Sequence, residues 1–228
     1  MHEGHRDRVK RRFRQEGLDS FSDIQALELL LFYVIPRVDT NPIAHALLDH
    51  FGSLSQVLEA SPEELMKVPG IGENAAVFLT LIPQMGRFYM VDRANHVKVL
   101  PTLEQCADYL VPHFFGRKLE TVFILCLDAK CKLLCCKELG EGGTNSAGVS
   151  IRKIVETAIG VNATTVVLAH NHPSGLAVPS AEDIQTTRRI AHALQAVEIT
   201  LADHIIVADG DYVSVAMSDE RFRDCLLI

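Results

Sequence analysis

The sequence predicts two domains of different class: an all-α N-terminal half, residues 1–98, and an α/β C-terminal half, residues 99–228, built on a mixed β-sheet. Three observations predict it. Apolar residues recur at three-to-four spacing through the first part of the chain, with no strand-like alternation. Further on, short apolar and β-branched runs interleave with amphipathic helical segments. Between the two lies a polar, weakly periodic stretch, Asp92-Arg93-Ala94-Asn95-His96, suited to a linker.

In the first half, Ile24, Leu27, Leu30, Leu31 and Val34 share a helix face that Pro36 ends. Ile43, Leu47 and Leu48 mark a second helix, closed near Gly52. Ser61-Pro62-Glu63-Glu64 is a helix start, with Ser as N-cap, Pro at the first helical position and acids in the first turn; a helix over 62–67 is expected. Residues 75–89 form another amphipathic run. In the second half a helix is expected over 103–115, then strands over 121–127, 132–137, 164–170, 199–207 and 212–216. Asp128-Ala129-Lys130 and Asp209-Gly210-Asp211 supply the turns of two hairpins. Helices near 151–159 and 181–194 separate the strand pairs, so the sheet is mixed.

The formal charge of −7 gives no general attraction to nucleic acid, but charge is unevenly placed. Arg6, Arg8, Lys10, Arg11, Arg12 and Arg14 crowd the first fourteen residues, making that arm +4 and the remainder −11. It reads as a solvated helix face before it reads as a phosphate-contacting arm. Cys106, Cys126, Cys131, Cys135, Cys136 and Cys225 contain no C-x-x-C and no disulfide framework, so they read as small apolar core residues. The start, Met1 to His5, lacks the apolar run of a signal peptide, and the longest apolar stretch, 29–35, is too short to span a bilayer. A reducing cytoplasm and no membrane contact are expected.

The chemistry concentrates in Ala169-His170-Asn171-His172-Pro173-Ser174-Gly175 and in Pro179-Ser180-Ala181-Glu182-Asp183. The preceding 164–169 run is that of a buried strand, and side chains two apart on a strand project to one side, so His170 and His172 can share an ion. Ser180 and Asp183 share a face once a helix begins there. Each piece has a plain explanation. Ser180-x-x-Asp183 after Pro179 is close to a capping box, and a lone His-x-His at a strand end is often mere surface. Together they offer three candidate metal ligands and a hydroxyl within fourteen residues, and a three-ligand site keeps a coordination position open for water.

His-x-His-x7-Ser-x-x-Asp, His170 to Asp183, resembles the signature of the JAMM (MPN-plus) metalloprotease domain. The surrounding string resembles the RadC family in particular: Gly143-Thr144, Arg152-Lys153-Ile154, Asn162-Ala163, the His170 to Gly175 stretch, Pro179-Ser180, Asp183 and Asp203-His204. This resemblance implies an MPN/JAMM fold of cytidine-deaminase-like architecture. It implies one zinc ion on His170, His172 and Asp183 with water in the fourth position, and cleavage of peptide or isopeptide bonds. The pattern also asks for an upstream glutamate as general base. Glu120, just before strand 121–127, is the positional match; its mundane reading is a solvated acid beside Arg117 and Lys118. Glu138 and Glu141 are nearer in sequence but are expected after the second strand. Ser180 is expected to hydrogen-bond the developing oxyanion, an interaction whose loss typically costs about 3 kcal/mol of barrier. Asp203 and His204 either stand behind the ligands and support them or are simply structural, and the structural role is the one expected.

In the N-terminal half, Val68-Pro69-Gly70-Ile71-Gly72 between helices resembles a helix-hairpin-helix over about 61–89. Its glycines permit a close turn, and the N–H groups of the following helix could hold a phosphate. Glu73-Asn74 follows where DNA-binding versions carry basic residues, and the first 98 residues hold 11 basic against 13 acidic side chains. Two functions are therefore carried forward: a zinc metallohydrolase acting on a peptide or protein substrate, and a DNA-associated accessory protein whose zinc site is structural or vestigial. A nucleoside-type zinc deaminase would need His-x-Glu with Pro-Cys-x-x-Cys, and neither accompanies these histidines. Gly140-Glu141-Gly142-Gly143 lacks the Lys-Ser/Thr of a phosphate loop and is expected to form a flexible wall within a loop over 139–150.

Overall fold

The computed structural model describes residues 3–141, 150–173 and 175–218. Two compact units divide between Gly86 and Arg87. That division lies inside a helix, and residues 92–94, expected in a linker, continue that helix. Among the described residues no helix is long and apolar enough to cross a membrane.

The first unit is helical: α1 (Glu3–Glu16), α2 (Asp23–Val34), α3 (Asn41–Phe51), α4 (Leu54–Glu59), α5 (Pro62–Leu65) and the start of α6 (Glu73–Ala94). Ser22 and Ser61 cap α2 and α5 with reciprocal capping boxes, each typically worth about 1 kcal/mol. The core gathers Leu27, Leu31, Leu47, Leu65 and Leu79. α5 stops at Leu65, short of the expected 67, since Pro69 disfavours helical backbone at Val68. Of the two hairpin glycines only Gly70 is required: its φ is +94° and a Cβ would sit 2.8 Å from Ile43 Cδ1, whereas Gly72 faces open space. The basic arm is partly committed to the fold. Arg6 donates to the carbonyls of Phe32, Ile35 and Val38, the C-terminal end of α2 and its following turn. Arg12 donates to Ser20 O, Gln25 and Glu16.

The second unit contains the C-terminal end of α6, α7 (Leu103–Leu110), β1 (Thr121–Leu127), β2 (Leu133–Glu141), α8 (Ile151–Gly160), β3 (Thr165–Asn171), α9 (Ala181–Gln195), β4 (Thr200–Ala208), β5 (Asp211–Ser214) and α10 (Val215–Ser218). The sheet order is β2-β1-β3-β4-β5; only the β3–β4 pair, joined through α9, is parallel. Helices α8 and α9 cover one face, with Ile124, Cys126, Val166, Leu168 and Ile206 beneath them. α7 covers the other, over Phe123, Leu125, Val167, Ala169 and Ile205. Burial on both faces explains why β1 and β3 read as continuous apolar runs.

Other elements also differ from expectation. Helix 103–115 ends at Leu110 and continues as a 3₁₀ turn, Val111–Phe114, because Pro112 lacks the N–H an α-helix would use. The last strand ends at Ser214, not 216, since Ala216 N–H donates to Asp203 Oδ1 and Met217 N–H to Ser214 Oγ, starting α10. β2 runs to Glu141, so residues 139–141 are strand rather than loop. α4, capped by Ser53, has no counterpart among the expected helices. Gly142, Gly143, Thr144, Ser174 and Cys225 lie outside the described residues.

Candidate metal centre

Alternation along β3 puts His170 on the same face as Val166 and Leu168, beneath α9. His172 continues the pleat one step past the strand, its N–H donating to Val207 O of β4 at 2.8 Å. The chain then turns through Gly175, whose N–H returns to His172 O, and α9 begins at Ala181 with Ser180 as N-cap. That path returns Asp183 over the strand end.

His170, His172 and Asp183 meet, with one ligand atom of each lying within 4.8 Å of the others. His170 Nε2 is 2.9 Å from His172 Nε2, and Asp183 oxygens lie 3.3 Å from His170 Nε2 and 3.5 Å from His172 Nε2. The edge between two ligands of a tetrahedral zinc with bonds of roughly 2.05 Å is about 3.3 Å, so the residues fit such an ion. His172 Nδ1 lies 3.1 Å from Leu176 O. A carbonyl only accepts, so that nitrogen carries the proton and Nε2 keeps a free lone pair.

Ser180 and Asp183 form a complete capping box. Asp183 N–H donates to Ser180 Oγ, and Asp183 Oδ2 accepts from Ser180 N–H at 2.8 Å and from the Ser180 hydroxyl at 2.6 Å. Capping and ligation are therefore compatible, since the same box that starts α9 orients the carboxylate. Burial pushes the Asp183 carboxyl upward, but the adjacent His170 ring and the hydrogen bonds from Ser180 outweigh it and hold the group well below the usual carboxylate range.

Beside the centre lies a cavity of about 30 Å³ lined by Glu120, Val122, Ile154, Leu168, His170, Asp183, Thr186, Ile190 and His204. That exceeds the roughly 10–15 Å³ one water needs. Glu120 is thus brought to the same pocket as two of the three ligands. Glu138 and Glu141 stand on β2, not after it, and pair with Arg117 at 2.8 and 4.0 Å. The plain reading of His204 misses a contact: the buried His204 ring bonds to His170 on one side and Thr187 on the other. Burial first, then His170, brings its pKa down to about 3. Asp203 Oδ1 accepts the N–H groups of His204 and Ala216.

A mixed sheet carrying His-x-His at a strand end and an aspartate in the next helix's first turn has the features of a JAB-type domain. Residues 100–221 match the RadC-like JAB domain, and residues 41–77 match the SAM-like helix-hairpin-helix tandem. The chain belongs to the RadC family. It is 34% identical over 219 residues to "UPF0758 protein FN0909" of Fusobacterium nucleatum subsp. nucleatum, a similarity covering 93% of this chain and 94% of that protein.

Proposed function

We propose that the C-terminal unit is a zinc-dependent hydrolase of the JAMM type that cleaves peptide or isopeptide bonds. The observation that carries this reading is the convergence of two imidazole nitrogens and one carboxylate beside a pocket lined by Glu120. Nitrogen and oxygen donors from three side chains suit zinc and match the ligand count of catalytic rather than structural sites. When bound, such an ion polarises a carbonyl and makes water acidic near neutral pH. The rest falls to the chain's own residues. The Glu120 carboxylate takes a proton from the attacking water and returns it to the nitrogen of the departing amine. Val122, Ile154, Leu168 and Ile190 make the surroundings apolar, which strengthens every charge interaction inside. The Ser180 hydroxyl holds Asp183 in the resting site; serving the oxyanion requires that proton to turn from Asp183 Oδ2 to the substrate. Free thiols at Cys106, Cys126, Cys131, Cys135 and Cys136 suit a reducing cytoplasm.

The alternative, DNA association through the helical half, draws on exposed Arg8, Arg11 and Arg14 of α1. Arg6 and Arg12 are engaged internally, and Glu73 in the first turn of α6 repels phosphate. Low-salt titration with duplex DNA separates the two: absent binding removes the alternative.

The central test is metal analysis of the purified wild type beside His170→Ala and Asp183→Ala, followed by a screen of peptide and isopeptide substrates with Glu120→Gln as control. One zinc per wild-type chain, none in the ligand variants, and turnover abolished in Glu120→Gln with zinc retained are the expected results. A metal-free wild type overturns the reading, and a fully active Glu120→Gln overturns the assignment of the base.

A further inference from the structure

The ring of His170 is held from behind. Its Nδ1, the nitrogen facing away from His172 and Asp183, lies 2.8 Å from His204 Nε2. His204 Nδ1 lies 2.6 Å from Thr187 Oγ1, and the same hydroxyl lies 2.6 Å from the backbone carbonyl of Asp183. His170, His204 and Thr187 are all buried, so each polar atom needs a partner inside the protein.

Donor and acceptor rules order the protons along this line. A carbonyl oxygen only accepts, so Thr187 gives its single hydroxyl proton to Asp183 O. The Thr187 oxygen then accepts, and His204 Nδ1 must donate. A neutral imidazole protonated at Nδ1 has an acceptor at Nε2, so the proton between the rings sits on His170 Nδ1. His170 Nε2 is left with a free lone pair, and that is the atom 2.9 Å from His172 Nε2 and 3.3 Å from Asp183 Oδ1.

We infer that His204 and Thr187 are positioning residues for the metal centre: together they set the tautomer and ring plane of His170 so that Nε2 faces a divalent cation. Thr187 does a second thing. By bonding both His204 and the Asp183 carbonyl, it ties the strand ligand His170 to the helical turn that carries Asp183. Two ligands on different elements are thus braced by one relay, while His172 is braced separately by Leu176 O. Partners of this kind orient metal-binding imidazoles generally, and their loss typically weakens metal binding about 10–100-fold.

This inference rests on the metal centre proposed above, and its test separates the two. Zinc affinity of the full chain is measured by competition with a chromophoric chelator for the wild type, Thr187→Val, Thr187→Ser and His204→Phe. The His204 tautomer in the zinc-loaded wild type is read from long-range ¹⁵N–¹H NMR couplings. Thr187→Val and His204→Phe should bind zinc about 10–100-fold more weakly. Thr187→Ser, which keeps the hydroxyl, should restore near-wild-type affinity, and His204 should carry its proton on Nδ1. Wild-type affinity in Thr187→Val, or a His204 protonated at Nε2, overturns the inference while leaving the metal centre intact. A wild type that binds no zinc removes both. Should His204→Phe fail to fold, the Thr187 pair and the tautomer still decide.

Discussion

Gly175 is where a single added methyl group should disturb fold and metal centre together. Its φ is +82°, and a Cβ would fall 2.8 Å from Asp209 Oδ2 in the β4–β5 turn. A non-glycine residue in that backbone region costs roughly 1–2 kcal/mol. The contact with Asp209 adds little, because the atom struck is the free end of a side chain that can move aside. Gly175→Ala should therefore lower unfolding stability by about 1–2 kcal/mol, which for a chain of this size is a fall in Tm of roughly 2–8 °C. The next residue, Leu176, supplies the carbonyl that fixes the His172 ring, so zinc affinity should fall by about 10-fold as well. Denaturant unfolding and chelator competition read the two effects. Combining Gly175→Ala with Asp209→Ala removes the steric contact but not the backbone strain at 175, so measured against Asp209→Ala alone most of the loss should persist. A Gly175→Ala protein as stable as wild type refutes the strain argument. Complete loss of the effect in the Asp209→Ala background shows instead that the contact was the whole of it.

Two further outcomes follow from groups on either side of the sheet. Ser180→Ala removes the N-cap of α9 and the hydroxyl bonded to Asp183; it should cost about 1 kcal/mol of stability by urea unfolding and weaken zinc binding, and a variant indistinguishable from wild type in both would show that the box is dispensable. His113, packed near Cys136 and Phe123 with Arg117 close by, has its pKa lowered from 6.5 to about 4, by burial first and then by Arg117. Above 6.5 the ring is neutral in both states and carries no penalty. As pH falls from 6.5 to about 4 only the unfolded chain takes the proton, so stability declines across that window. After discounting for the ring's partial exposure the decline is on the order of 1–2 kcal/mol. His113→Gln should flatten it, and parallel curves for the two proteins from pH 7 to 4 would remove His113 as the cause.

What was legible in the sequence is what local physics decides. β1 was read to the residue because an apolar run bounded by charged Glu120 and Asp128 has few alternatives. The ends of other elements were misplaced where a distant group intervenes. Asp203, thirteen positions away, captures Ala216 N–H and stops β5 early. β2 runs to Glu141 because its pairing partner, β1, extends far enough to hold Gly140 and Glu141 in register with Val122 and Thr121. Neither effect leaves a trace in hydrophobic periodicity. The polar stretch 92–96 reads as a linker, yet its first three residues are a solvated helix end, since polarity alone does not break helical backbone.

The same distinction runs through the metal centre. Its three candidate ligands span fourteen residues, and their spacing follows from one strand end, one tight turn and one helix start, so the set is readable as a motif. Glu120 could be singled out only through family resemblance, since antiparallel pairing of β1 with β3 is what carries it to the pocket. Thr187 escapes a sequence reading, and the part His204 plays beside the ligands stays undecided there, for a related reason. Their bonds join residues 34 and 17 positions apart and depend on the parallel register that sets His204 beside Leu168, one step from His170. Residues that meet an ion must alternate or recur on a short local path, and this leaves a motif. Residues that brace those ligands need only be adjacent in the folded sheet, so their identity becomes readable once strand order is known.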